Sequence, residues 1–331
     1  VHPNDHVNLG QSSNDVIPTT IHISAFRSIR ERLYPALDRL HKNLLSKAAE
    51  FEDVKKIGRT HLQDAVPMTL GQEFSGYARQ IGLGIKRIEA AEERLGELAL
   101  GGTAVGTGVN THPEFAAGVI QLISEYTKLP FKEATNHFEA QAAQDAAVET
   151  SGALRALAVS LIKIANDIRW LGSGPRCGFG EINIPSLQPG SSIMPGKVNP
   201  VIPEAVIQVA AQVIGNDTTI MLGGQAGNFE LNVMLPVIAY NLLQSISLLA
   251  AVAEIFADKC IRDITANRQK SASNIEQSLA LVTALVPEIG YDKAAFIAQE
   301  AYETGRTIRE VALQEKILTD DVLERLLGPK D

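Results

Sequence analysis

The residue types that can do chemistry are concentrated in short polar loops. The densest is Gly190-Ser191-Ser192-Ile193-Met194-Pro195-Gly196-Lys197-Val198-Asn199-Pro200. Glycine lets backbone N–H groups come close to a ligand, and lysine adds a full positive charge. Two adjacent serines with Lys197 and Asn199 therefore suit an anion, although by spacing alone the same string also describes a solvated surface loop. A second loop, Gly58-Arg59-Thr60-His61-Leu62-Gln63-Asp64-Ala65, carries an imidazole, the side chain that exchanges protons near neutral pH. A third, Gly10-Gln11-Ser12-Ser13-Asn14-Asp15, offers neutral donors; Ser12, Ser13 or Asn14 would equally cap a helix starting around Asp15. Glu204, in Asn199-Pro200-Val201-Ile202-Pro203-Glu204, could bond an imidazole and raise its basicity. It also fits the first turn of a helix starting near Pro203, where acidic side chains are favoured. His2-Pro3-Asn4-Asp5 reads as a Pro-initiated turn. The glycines of Gly101–Gly108 follow no strand and precede no Walker-type lysine, which argues against a nucleotide loop. No His, Asp or Glu cluster has ligand spacing, and Cys177 and Cys260 lack zinc spacing, so neither a metal nor a cofactor is expected.

These loops need a scaffold. The chain has 331 residues, enough for two or three domains. Hydrophobic residues make up 45% and charged residues 21%, which excludes a disordered or collagen-like chain. A net charge of −8 argues against nucleic acid, which calls for a basic footprint. There is no uninterrupted run of about 18 apolar residues, so no membrane span is expected. The 2 cysteines lie far apart, which excludes a disulfide scaffold and fits a reducing compartment. Aromatics are scarce at 5% while Ala, Leu and Ile abound, a composition that points to packed helices.

The periodicity agrees. Leu154, Leu157, Leu161, Ile164, Ile168 and Leu171 follow the alternating three-and-four spacing of a helical seam. A second seam runs Leu231, Leu235, Ile238, Leu242, Ser245, Leu249, Val252, Phe256; a third runs Phe74, Ala78, Ile81, Ile85, Ile88; a looser fourth runs Ile29, Leu33, Ala36, Leu40. Segments of up to about 30 residues give rods about 45 Å long. The opposite faces also carry Ala142, Ala143, Ala146, Ala147 and Leu248, as expected of a bundle that packs against other bundles. Strand signals are weak, with Asp53–Ile57 the best of them. After about Asp263 the pattern changes to shorter helices, with an N-cap signal at Thr319. The expected architecture is all-α, with a central long-helix bundle over residues 11–263 and a small C-terminal helical domain over 264–331.

Taken whole, the string Gly190–Pro200 closely resembles the signature loop of the fumarase/aspartase superfamily. Gly10–Asp15 and Gly58–Ala65 resemble its other substrate loops. Gly101-Gly102-Thr103-Ala104-Val105-Gly106-Thr107-Gly108-Val109-Asn110-Thr111-His112-Pro113 and Ser173-Gly174-Pro175-Arg176-Cys177-Gly178 are also typical. The resemblance covers essentially the whole chain and is strongest to class II fumarases. It implies a fold of helical domains, in a homotetramer whose bundles pack into one many-helix core. It also implies four composite active sites, each drawn from three subunits, and a location in the cytoplasm, or in the mitochondrial matrix of a eukaryote.

The reaction implied is reversible, stereospecific anti addition of water to fumarate, giving malate through an aci-carboxylate intermediate, a step of the tricarboxylic acid cycle. By resemblance Ser191 is the catalytic base, while Ser192, Lys197 and Asn199 hold the substrate. His61 is the acid/base on the water side, tuned by Glu204. Ser12, Ser13, Asn14 and Thr60 supply donors to the carboxylates and the water. His2, Asn4 and Asp5 resemble a secondary anion site outside the catalytic pocket. The expected partners are a small dicarboxylate and further copies of the chain, with no nucleic acid and no membrane.

The alternative is aspartate ammonia-lyase, in which the position of His61 usually carries Gln and that of Gly196 Ala. Val201–Glu204 and Gly223-Gly224-Gln225-Ala226 lean toward that pattern; His61 and Gly196 lean away from it. A non-enzymatic relative would be expected to lose its Ser, His or Lys, yet Ser191, His61, Lys197, Asn199 and Glu204 all stand. Members of the family carry a preceding domain with a further substrate segment, and nothing like it lies upstream of Val1. Residues 1–10 accordingly read as the remnant of that domain, and the chain alone is expected to assemble but to show little hydratase activity.

Overall fold

A computed structural model describes residues 1–188, 190 and 192–327. In chain order its helices are α1 (Ser13–Ser28), α2 (Tyr34–Glu50), α3 (Leu70–Leu95), α4 (Phe115–Thr127), α5 (His137–Ala142), α6 (Asp145–Leu171), α7 (Val201–Gly224), α8 (Leu235–Lys259), α9 (Arg268–Gln277), α10 (Val286–Ile289), α11 (Tyr291–Thr304), α12 (Ile308–Gln314) and α13 (Asp320–Leu327). Among the described residues, strands form only short two-stranded pairs, so the fold is all-α as the seams predict.

Burial follows the seams. Leu154, Leu157, Leu161, Ile164, Ile168 and Leu171 are buried on α6, as are Leu235, Ile238, Leu242, Ser245, Leu249, Val252 and Phe256 on α8. Phe74, Ala78, Ile81 and Ile88 are buried on α3, with Ile85 half-buried. Ile29, Leu33, Ala36 and Leu40 are buried across the junction of α1 and α2. That junction is a π turn over Ile29–Leu33. Pro35 has no N–H to give the carbonyl of Glu31, and the ladder shifts so that the Tyr34 N–H bonds to Ile29 O.

Two compact units emerge, one comprising Val1–Lys42, Ala78–Asn166 and Pro200–Lys259, the other Asn43–Tyr77, Asp167–Asn199 and Cys260–Asp331. In the first, α8 packs on α7 and on α1. Leu231 stands outside α8, in a two-residue strand pair with Gly227–Asn228 that turns the chain from α7 to α8. Asn232 fixes this turn: its amide donates to Gly223 O at 2.9 Å, and its oxygen accepts the Met234 N–H at 2.8 Å. By length and composition the stretch Leu235–Asp263 is apolar enough to cross a membrane. It contains no uninterrupted apolar run of that length, because Asn241, Gln244 and Ser245 break it. These polar groups have partners in the bundle: Asn216 Nδ2 on α7 donates to Ser245 Oγ and Gln244 Oε1, both at 3.0 Å. On the same helix Asp217 accepts from Ser151 Oγ and Arg155 Nη1, each at 2.7 Å.

The second unit holds a β-hairpin, whose first strand begins within the strand signal at Asp53–Ile57 and whose remainder falls where the sequence offers a loop. Strands β1 (Lys55–Thr60) and β2 (Gln63–Thr69) pair antiparallel and close through the two-residue turn His61-Leu62. The hairpin escapes periodicity because β2 is mostly exposed and contains Pro67, a residue usually confined to strand edges. The register slips at Gly58, where a Cβ would lie 2.9 Å from Val66 O, so only glycine fits. Helix α9 packs on β1. The last helices bury a cluster of their own, with Leu281, Leu285, Ile297, Ile308, Val311 and Leu323 at its centre.

The hairpin is held by a buried carboxylate. Glu181 has no solvent exposure. Arg59 bonds both of its oxygens, at 3.1 and 2.7 Å, while Asn274 donates at 3.0 Å and Lys56 lies 3.6 Å away. Lys56 is shared with Glu73 at 3.2 Å, and the Arg59 guanidinium stacks on Phe179 with 4.2 Å to the ring centroid. Burial opposes ionisation of Glu181, but the Arg59 hydrogen bonds, the Lys56 charge and the Asn274 amide outweigh it and hold the carboxyl below its usual range. The stabilisation from this shift is therefore complete above the unfolded-state value, about 4.3 for Glu, and is lost as pH falls through the folded-state value. Glu181→Gln should cost about 3–5 kcal/mol, because it leaves the Arg59 guanidinium beside an amide without its carboxylate and leaves Lys56 with Glu73 alone. Thermal melts between pH 7 and pH 3 should show the variant losing less of its stability on acidification than the parent; parallel curves would remove Glu181 from this role.

Candidate active site

Helix α1 begins with a capping box. Ser12 Oγ accepts the Asn14 N–H at 3.2 Å, and Asp15 Oδ1 accepts the Ser12 N–H at 2.9 Å. Ser12 is thus the cap among the three candidates. The other oxygen of Asp15 accepts the N–H groups of Gly101 at 3.0 Å and Thr103 at 3.1 Å. Asp15 is fully buried at 0% exposure, so three backbone donors replace its water. The loop it holds is strained. Thr103 is β-branched yet has φ of 56°, with Gly101, Gly106, Gly108 and Asn110 also at positive φ. Such a residue costs about 1–3 kcal/mol and persists where its surroundings over-determine it. Here its carbonyl accepts from Gln141 Nε2 at 3.0 Å. Asn14 Nδ2 donates to Ala104 O in the same loop at 2.8 Å, and Ser13 Oγ lies 3.5 Å from Asn14 Oδ1.

Within the same unit His2, Asn4 and Asp5 share one exposed turn. His2 Nδ1 accepts the N–H groups of Asn4 at 3.3 Å and Asp5 at 3.1 Å, and lies 3.2 Å from Asp5 Oδ2. The Pro-initiated turn read from sequence is present at Pro3–Val7. Glu204 is half-buried in the first turn of α7, its N–H bonded to Pro200 O at 3.2 Å.

In the second unit Thr60 and His61 stand exposed at the hairpin tip. His61 and Leu62 have φ of 55° and 60°, the backbone of a type I′ turn built without glycine. The Arg59–Glu181 pair anchors the stem two residues below the imidazole. A cavity of about 220 Å³ beside the tip is lined by Arg59, Leu62, Asp64, Gly178, Phe179, Asn274 and Gln277. A larger one, about 1600 Å³, is walled by residues such as Ala48, Val54, Met68, Ile275 and Leu327 and includes none of the candidate residues.

The loop 190–199 closes on itself. Asn199 Nδ2 points at Gly190 O across 3.5 Å, and Lys197 N–H bonds to Met194 O at 3.2 Å. Gly190 abuts the Lys197 carbonyl so closely that no Cβ would fit. Ser192 and Lys197 are exposed and Asn199 is half-buried. Ser191 lies outside the described residues. Among the described residues no group of three or more His, Cys, Asp or Glu is arranged to hold a metal ion.

The structure brings Asn14 onto the Gly101–Ala104 loop with Ser12 and Ser13 beside it, gathers His2, Asn4 and Asp5 in one turn, and folds Lys197 and Asn199 into one loop. Asp15, Thr103 and Gln141 support Asn14 and the loop it meets, Arg59 and Glu181 support the stem below His61, and the sequence assigns these five no role. Asp15 stands three residues after Ser12, the spacing of a capping box, but its loop partners lie 86 and 88 residues away.

Residues 1–215 match the family model described as Lyase, and residues 281–331 match Fumarase C C-terminus. The chain is 58% identical over 330 residues to the class II fumarate hydratase of Nitrosomonas europaea, covering 100% of this chain and 71% of that protein. It is 55% identical over 331 residues to the mitochondrial fumarate hydratase of Rhizopus oryzae, covering 100% of this chain and 67% of that one. Among solved structures, the class II fumarase of Schistosoma mansoni superposes with a TM-score of 0.93 at 42% identity, over 99% of this chain and 71% of that one. A fumarate lyase:delta crystallin from Brucella melitensis gives a TM-score of 0.95 at 46% identity, over 99% and 71%. On sequence and fold together, the chain belongs to the class II fumarate hydratase family of lyases.

Proposed function

We propose that the protein hydrates fumarate to malate reversibly, by anti addition of water, in the cytoplasm or in a mitochondrial matrix. The observation that carries this reading is the 58% identity to a class II fumarate hydratase across 100% of the chain, with Ser191, His61, Lys197, Asn199 and Glu204 all in place.

In the elimination direction a proton must leave a carbon next to a carboxylate, where it is poorly acidic. The electron pair left behind spreads into that carboxylate, giving an aci-form with two negative oxygens. Donors placed in advance lower the cost of that charge. Lys197, Asn199 and the loop's backbone N–H groups are suited to it. Ser191 takes the proton as alkoxide, which requires an oxyanion environment and a closed, dry loop. Ser192 holds the substrate. On the other face His61 gives its proton to the departing hydroxyl, which leaves as water, and Glu204 raises the basicity of the ring. Asn14 and Thr60, with Ser12 and Ser13, supply neutral donors to the carboxylates and the water. His2, Asn4 and Asp5 form an accessory anion site.

The subunits form a homotetramer through the bundle, and each site takes residues from three of them. Val159 on α6, Met221 and Leu222 on α7, and Tyr240 and Ile255 on α8 support this, since all are exposed on a single chain. Light scattering should give a tetramer, and a stable monomer at micromolar concentration would contradict it.

Activity is tested by incubating the full-length protein with fumarate, with and without ammonium. Malate should form equally in both. Aspartate formed only with ammonium would assign the protein to the ammonia-lyases. In the active enzyme His61→Asn should lower turnover about 10²–10⁴-fold and remove one limb of the pH–rate profile. Glu204→Gln should weaken the same limb. Profiles of both variants that overlay the parent would make the pair structural.

A further inference from the structure

To bind a carboxylate, Asn14 has to present a donor in one orientation, and its place in the first turn of α1 does not set that orientation. The Ala104 carbonyl does. It can only accept, so the amide nitrogen must face it, at 2.8 Å. Asn14 is therefore only as well oriented as Ala104 is well placed. Ala104 is exposed and follows the strained Thr103. Left to itself, a β-branched residue leaves positive φ for the β region, and the next carbonyl swings with it. Two side chains prevent this. Asp15 Oδ2 accepts the Thr103 N–H at 3.1 Å, and Gln141 Nε2 donates to the Thr103 carbonyl at 3.0 Å, so both peptide groups of the residue are clamped. Asp15 and Gln141 are both at 0% exposure. The capping box needs only one oxygen of Asp15, and Oδ1 fills that place by accepting the Ser12 N–H. The second oxygen serves the loop alone.

We infer that Asp15 and Gln141 are positioning residues, which hold Thr103 in its strained conformation so that the Ala104 carbonyl fixes the Asn14 amide for a dicarboxylate. The inference rests on the reading of Asn14 as a substrate donor. Its signature is dependence: the two residues act on binding only through Asn14.

The test uses Asp15→Asn and Gln141→Met in the full-length protein, each alone and in an Asn14→Ala background. Each single variant should raise KM for fumarate about ten-fold, the worth of one hydrogen bond to a charged group. Neither should change KM further once Asn14 is alanine. A purely structural role would lower Tm, leave KM of the folded enzyme unchanged and act alike in both backgrounds, and that pattern would overturn the inference. Should Asp15→Asn fail to fold, Gln141→Met, nearly equal in volume, carries the same comparison. Crystal structures of the variants supply a readout independent of turnover. Thr103 should leave positive φ, and Asn14 Nδ2 should leave hydrogen-bond reach of Ala104 O; an unmoved loop would overturn the inference. Absence of fumarate turnover in the parent enzyme would refute the hydratase reading instead, and leave the crystallographic comparison to decide the clamp.

Discussion

Asp15 and Glu181 are carboxylates without access to solvent, and each has to be surrounded by donors or cost the fold several kcal/mol. That requirement organises each unit around one acceptor. Asp15 collects three backbone N–H groups, from Ser12, Gly101 and Thr103. Glu181 collects Arg59 through both oxygens, with Asn274 and Lys56 beside it. The helices supply bulk burial through their seams, but seams are tolerant of small shifts. Hydrogen bonds to a buried charge are not, and they set where the polar loops lie.

The division of labour is visible in exposure. His61, Ser192 and Lys197 face solvent in the isolated chain, while Asp15, Gln141 and Glu181 are fully buried. The groups proposed to meet substrate stay accessible, and their supports are locked by packing. Catalysis of this kind gains from donors that need no reorganisation when charge develops. A loop such as 101–104 is useful because it is strained and held: Thr103 at positive φ places the Ala104 carbonyl where a relaxed backbone would not.

Much of the scaffold was legible because a seam repeats. On α6 every apolar residue of the seam is buried, and on α8 only Leu231 falls outside the helix, where a tight strand pair intervenes. Of the hairpin only the start of β1 was legible, at Asp53–Ile57; β2 was not, since it is largely exposed and carries Pro67. Candidate site residues could be named from their strings, and Ser12 is the cap among the three that its string offered. Their supports could not be named. The Asp15 carboxylate finds its loop donors far along the chain, and Arg59 meets Glu181 across 122 residues. Local patterns carry no trace of such pairings, because each residue alone looks like an ordinary surface charge.

If Asp15 holds the loop bearing Thr103 and Ala104, that loop is rigid before any dicarboxylate arrives. Amide hydrogen exchange at Gly101 and Thr103 in the ligand-free protein measures this directly. Both sit in a glycine-rich loop, where exchange would ordinarily be fast. The account predicts protection comparable to the buried middle of α8, lost together in Asp15→Asn. Exchange at the rate of an open loop in the parent protein would contradict it.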